Sequence, residues 1–258
     1  MVRIMGEKSL SRESGFQNSS IVVDAHAHIG RGQILHYWWN VNLTPEFILK
    51  LDRQARVDKS VIFPCHYIDY SIGNREVAEA VRKYPDKFIP FAKVKCSDPN
   101  AVNHLVEAVE KLGARGLKMH SSEGFLTREI LDKVVEYDIP ILIHTKHPLE
   151  LEPLLRANAY PEVKFIIAHL GGAWNYNYEL CAIHLAERFD NVYLETSTCL
   201  WRNLKLAVER AGADRIIFGS DAPEFHPAVE RRKIEILELS KKEEEMILGG
   251  NILQLLNL

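Results

Sequence analysis

The chain has 258 residues, 47% hydrophobic and 26% charged, enough for one large core in a single domain of the size usual for an α/β barrel. A formal net charge of -3, from 32 basic and 35 acidic residues, gives no electrostatic footprint for nucleic acid or an anionic membrane, so the expected partner is a small molecule. Cys65, Cys96, Cys181 and Cys199 form no C-x-x-C pair, which excludes a zinc-finger or dithiol redox pattern and fits reduced thiols in a cytoplasmic protein.

Residues 1–19 are polar and read as a disordered N-terminal tail without the apolar stretch of a secretory signal. No later stretch approaches the roughly 18 apolar residues of a membrane span. Residues 20–258 then carry eight short apolar runs: IVVDAHAH from Ile21, SVIFPCH from Ser60, KFIPFAKV from Lys87, ARGLKMH from Ala114, PILIHT from Pro140, KFIIAHL from Lys164, NVYLET from Asn191 and RIIFGSD from Arg215. After the first interval the runs start roughly 24 to 27 residues apart, room for one strand, one helix and two short loops.

Helix signals fill the gaps. Thr44-Pro45 is a cap followed by proline, and Asp98-Pro99 repeats it ahead of an apolar stripe of Val102, Leu105, Val109 and Leu112 that ends at Gly113. Further helices are expected over 74–84, 127–137, 175–189, 200–210, 227–239 and 241–256. The long loop after the first run holds His36, Tyr37, Trp38 and Trp39, which suit either a lid or the subunit contact of a homo-oligomer.

Strand and helix alternation fits both a doubly wound sheet and a barrel. The polar residues decide for a single-domain (β/α)8 TIM barrel, because His26 and His28, His66, Lys118 and His120, His144, His169 and Asp221 fall at the C-terminal ends of successive runs, where barrels build their sites. In a strand His26 and His28 share a face, so two imidazoles converge. With His144, His169 and Asp221 on the same rim, five candidate donors for a divalent metal sit at one level, and zinc takes three or four such N and O ligands.

D-x-H-x-H at residues 24–28, I-H-T ending at Thr145, A-H-L-G-G at 168–172 and F-G-S-D-A-P at 218–223 together resemble the amidohydrolase superfamily, in its amidohydrolase 2 branch of aminocarboxymuconate-semialdehyde-decarboxylase-like proteins. The resemblance spans about residues 21 to 225. It implies a barrel with one Zn2+ held by His26, His28, His144 and Asp221, with His169 catalytic. Members of the branch hydrolyse C–O or C–N bonds or remove a carboxylate from small aromatic or unsaturated acids, so the resemblance fixes the site better than the substrate.

The chemistry expected is metal-assisted hydrolysis, with Asp221 taking a proton from the attacking water and His169 acting as acid, base or carbonyl contact. Non-oxidative decarboxylation is the alternative, and a barrel that binds metal without turnover is a third reading. Lys118 is expected to meet a substrate carboxylate, the alternative being a salt bridge to a loop acid. In other branches of the superfamily a lysine on this strand is carbamylated and bridges two metals, so a two-metal site through Lys118 is the competing arrangement. Trp174, with Tyr176 and Tyr178, suits an aromatic wall of the substrate pocket or plain packing. Glu195, Glu224 and His226 are candidates to orient the imidazoles from behind, and Cys65 and His66 are outlying candidates for a metal.

Overall fold

The computed structural model describes residues 21–32 and 43–258. The tail 1–19 and the group His36, Tyr37, Trp38 and Trp39 lie outside the described residues. The strands are β1 Val23–Ile29, β2 Lys59–Pro64, β3 Phe88–Pro90, β4 Ala92–Lys93, β5 Leu117–His120, β6 Ile141–His144, β7 Phe165–Ile167, β8 Val192–Glu195 and β9 Ile216–Ile217.

All pair in parallel along the chain, β1 through β3 in one ladder and β4 through β9 in another. The two ladders join into one sheet, because Phe91 N donates to Ile62 O at 2.9 Å and Arg115 N to Pro90 O at 2.8 Å across the break between β3 and β4. The Asn74 side chain fixes that break. Its amide nitrogen donates to Lys93 O at 3.1 Å, and Lys93 N donates to Asn74 Oδ1 at 2.9 Å, so a side chain satisfies backbone groups that must not be left bare in the interior. On the other edge Ala25 N donates to Phe218 O at 2.9 Å and His28 N to Ala222 O at 2.7 Å. The sheet therefore closes on itself as a (β/α)8 barrel, and the open-sheet alternative falls.

The outer ring is α1 Pro45–Ala55, α2 Tyr70–Lys83, α3 Ala101–Glu110, α4 Arg128–Tyr137, α5 Glu152–Ala157, α6 Tyr176–Arg188, α7 Trp201–Ala211 and α8 Pro227–Glu235. Thr44 opens α1 as its sequence predicts, its hydroxyl accepting from Phe47 N at 3.2 Å with Pro45 next in line. Two openings differ. Helix α2 starts at Tyr70 rather than 74, because Asp69 caps it by accepting from Ser71 N at 2.8 Å. Helix α3 starts at Ala101 rather than Pro99, because Asp98 accepts from Asn100 N at 2.8 Å and closes a turn ahead of the helix. The expected helix 241–256 is broken into α9 Lys241–Glu245 and α10 Asn251–Leu255 by a π-turn at Met246–Gly250. A side chain at Gly249 would collide with Ile21 O, so glycine is what lets this turn press against the start of β1.

Strand alternation sorts the core. Leu117 and Met119 of β5 and Ile141 and Ile143 of β6 face the helices, packing in one cluster with Leu105, Ile130 and Leu155. Val23, Ala25, Val61, Phe63, Phe91, Leu142 and Ile166 fill the barrel interior, with Ile252 and Leu256 of α10. Strand β1 changes sides midway. Its pairing with β2 shifts register between Asp24 and Ala27, and beyond the shift Ala27 and Ile29 pack on Ile48 of α1 and Val77 of α2. This bulge sends His26 and His28 inward above the apolar plug.

Candidate metal centre

His26 is fully buried, and its two ring nitrogens have separate tasks. Nδ1 lies 2.9 Å from Glu195 Oε2, an acceptor only, so Nδ1 carries the proton and Nε2 presents a lone pair. That lone pair lies 3.2 Å from Asp221 Oδ1, and His28 Nε2 lies 3.1 Å from the same oxygen. Convergent lone pairs at this spacing call for a proton or a cation among them. His26, His169 and Asp221 each bring a donor atom to within 4.8 Å of the others, a buried N, N, O set suited to a divalent metal.

His144, at the end of β6, and His169 meet edge to face, with His144 Nδ1 3.0 Å from His169 Nε2. His169 is not on strand β7, which ends at Ile167. It sits in the following turn in a left-handed conformation, with φ 59°, as does Leu170 at 50°. Asp221 and Trp174 are also left-handed, with φ of 62° and 74°. Such backbone costs on the order of 1 kcal/mol or more for residues with a side chain, and here it gathers around the barrel mouth.

Glu195 links the parts. Its carboxylate is fully buried and accepts from His26 Nδ1, from His169 N at 3.0 Å, from Ser197 Oγ at 2.8 Å and from Ser197 N at 2.5 Å. Since Ser197 Oγ donates to Glu195, it accepts from His169 Nδ1 at 2.8 Å, which leaves His169 Nε2 as a lone pair. Gly219 is required beside this carboxylate, because a Cβ there would collide with Glu195 Oε1. Asp24 works one layer below: its carboxylate accepts from His26 N at 3.0 Å and Ser220 N at 2.9 Å and from the Ser220 hydroxyl, tying β1 to the loop that carries Asp221.

Burial sets the electrostatics. It drives the imidazoles of His26, His28 and His169 far below the ordinary histidine range and takes His144 down to about 3, so all four are neutral and able to ligate. Burial pushes the Asp221 carboxyl up, against the pull of Lys118, and pushes the Lys118 ammonium down, helped by Lys93.

The other sequence candidates scatter. Lys118 is buried, with Nζ 3.3 Å from His26 Nε2 and 5.0 Å above the Phe63 ring. His120 stacks on His144 at 3.8 Å. Trp174 is 62% exposed on the rim, edge-on to Phe225, while Tyr178 packs on His147. Glu224 is raised by burial and by Asp221 next to it in space. His226 does not orient an imidazole: Nδ1 caps α8 by accepting from Ala228 N at 3.1 Å, and Nε2 pairs with Gln54. Burial pushes the Cys65 thiol up to about 11. Sequence reasoning assigned no role to Lys93, Asp24 or Ser197. A lysine inside the apolar run FIPFAKV was the available signal for the first, and the leading Asp of D-x-H-x-H for the second.

A family model described as Amidohydrolase matches residues 23–258. No curated protein sequence matches. Among solved structures, the chain is similar to a 2,6-dihydroxybenzoate decarboxylase from Rhizobium at 15% identity and a TM-score of 0.72, covering 92% of this chain and 98% of that one. It is similar to a dihydroxybenzoic acid decarboxylase from Polaromonas sp. JS666 with bound manganese and the inhibitor 2-nitroresorcinol, at 18% and 0.69, covering 93% and 97%. A probable 2-pyrone-4,6-dicarboxylic acid hydrolase from Acinetobacter baumannii with citric acid bound gives 18% and 0.70, covering 92% and 99%. At these identities the likeness is one of fold.

Proposed function

The chain belongs to the amidohydrolase family, and from that premise we propose that it is a metal-dependent hydrolase of a small, carboxylate-bearing or cyclic substrate. The observation that carries this reading is the meeting of His26 Nε2 and His28 Nε2 at Asp221 Oδ1, with the far side of His26 locked by Glu195. We assign His26, His28, His144 and Asp221 to the metal and His169 to proton transfer. Zn2+ is the ion expected for a donor set dominated by imidazole. A divalent metal there supplies Lewis acidity to water and to a substrate oxygen.

The chain's own groups do the rest. Asp221 receives the proton of the attacking water at its carboxylate. His169, aligned by Ser197 and kept neutral by burial, can accept a proton at Nε2 and return it to the leaving group. Lys118, as an unmodified ammonium beside one metal, meets a substrate anion.

Decarboxylation is the second reading, and the buried Lys118 beside His26 favours it, because an acid whose carboxylate leaves must first be held there. One experiment tests both: metal analysis of the purified protein, joined to an activity panel of lactones, amides and aromatic acids in which carbon dioxide release and hydrolysis are read separately. About one metal per chain, lost to chelator together with hydrolysis, is the expected result. Full turnover by metal-free protein refutes the proposal, and carbon dioxide release without hydrolysis replaces it with the second reading.

A further inference from the structure

Two lysines lie side by side inside the barrel. Strands β4 and β5 pair in parallel with Lys93 opposite Lys118, so both side chains leave the sheet on the same face. That face is the interior, since Lys118 Nζ reaches His26 Nε2 and the neighbours Leu117 and Met119 point to the helices. Lys93 has no exposed surface and Lys118 has 1%.

Buried lysines are normally paired with an acid. Among the described residues, neither ammonium forms an ion pair with a carboxylate. The polar contact of Lys93 Nζ is the Cys65 carbonyl at 3.4 Å, and that of Lys118 Nζ is an imidazole nitrogen. Each ammonium instead lies 5.0 Å from the centre of an aromatic ring, Tyr70 for Lys93 and Phe63 for Lys118. Of the nearby acids among the described residues, none contacts either ammonium, although the buried Glu123 Oε2 has no hydrogen-bond partner. Glu123 accepts from the Tyr70 hydroxyl at 2.8 Å, and Asp221 is held between His26 and His28. A divalent cation on the neighbouring donors adds to this positive charge rather than offsetting it.

We propose that Lys93 and Lys118 form a paired-ammonium subsite for a carboxylate of the substrate, with Lys93, packed against Tyr70 and fixed at its backbone by Asn74, as the specificity-determining half. This rests on the site being a metal-dependent active site and adds to it the residue that selects an anionic substrate. Asn74 clamps both backbone groups of Lys93 and the Tyr70 ring centre lies 5.0 Å from its Nζ, so the ammonium is positioned before any ligand arrives. A neutral substrate would leave neither ammonium in contact with an anionic oxygen.

The test uses malonate as probe and isothermal titration as readout, on the metal-loaded protein, without turnover. Wild type should bind malonate, and malonamide, its uncharged analogue, should fail to compete. Lys93→Met should weaken malonate binding at least tenfold with metal content unchanged, and its melting temperature should not fall, because an uncompensated buried charge has been replaced by an apolar chain of similar length. Lys93→Gln should show the same loss of affinity. Undiminished malonate binding by either folded variant overturns the subsite, as does wild-type protein that ignores malonate or binds malonamide equally well. A mass increment of one carbon dioxide on Lys118 also overturns it, since a carbamate is an anion. Turnover that survives chelation would instead sink the metal-enzyme reading and leave the malonate contrast standing.

Discussion

Replacing Glu195 with Gln changes one atom of a fully buried group that accepts four hydrogen bonds. Three donors, His26 Nδ1, His169 N and Ser197 Oγ, converge on Oε2, while Ser197 N addresses Oε1. With the amide oxygen turned to the three donors, its NH2 faces Ser197 N, donor against donor. One hydrogen bond is lost and three lose their charge assistance. Hydrogen bonds to a charged group contribute roughly 1.5–3 kcal/mol and those between neutral groups about 1, so the folded state should lose roughly 3 kcal/mol or more. The lone pair of His26 also becomes less basic, and losing such a partner typically weakens metal binding by about 10- to 100-fold. Competition against a chromophoric chelator reads the second effect, and urea unfolding the first. A folded Glu195→Gln protein with wild-type metal affinity would refute the argument that the Glu195 charge strengthens the His26 lone pair.

Asp221→Asn should cut turnover by roughly 10² or more while retaining most of the metal, because the amide keeps an oxygen ligand but cannot take a proton; equal losses in both would make Asp221 a ligand alone. His169→Asn should likewise lower turnover by roughly 10² with metal retained, and a metal-free variant would move His169 into the ligand set. Lys118→Ala should raise KM for an acidic substrate with metal content still at about one per chain, and loss of half the metal would indicate a two-metal site. Away from the site, burial pushes Asp52 up to about 7 from 3.8. Between those values the folded chain holds a proton that the unfolded chain has released, so stability falls as pH rises through that window, by a few kcal/mol in total, and stays lowered above it. Asp52→Asn, which still accepts from the Ser60 hydroxyl, should reduce the slope and raise the urea midpoint at about pH 8; an unchanged slope would refute the shift.

Much of the barrel was legible because eight apolar runs recur at a regular spacing with polar residues at their C-terminal ends. Lys118 and His120 read as inward from Leu117 and Met119, and the structure agrees. The pairing of His26 with His28 was legible for the same reason, but their inward aim depends on the bulge in β1, which no periodicity announces. A-H-L-G-G reads as the end of a strand, whereas its histidine occupies a left-handed turn that only contacts with Ser197 and Glu195 explain. Lys93 read as an unremarkable strand lysine, since nothing local tells that Asn74 takes over its backbone and Tyr70 covers its ammonium. His226 looked like an imidazole partner from its nearness to Asp221 in sequence, yet the start of α8 claims it.

The seam between β1 and the segment after β9 has a consequence for assembly. His28 and Asp221 are separated by 193 positions, and only barrel closure brings them to 3.1 Å. On a growing chain the two histidines emerge early and wait for almost the whole sequence before their carboxylate arrives. Contacts of such long range form late and slow folding. On the metal assignment proposed above, an ion captured early would be held by imidazoles alone, and its final grip would coincide with completion of the barrel. Metal supply and folding yield should rise together in the cell, since a bound ion fastens the last joint made.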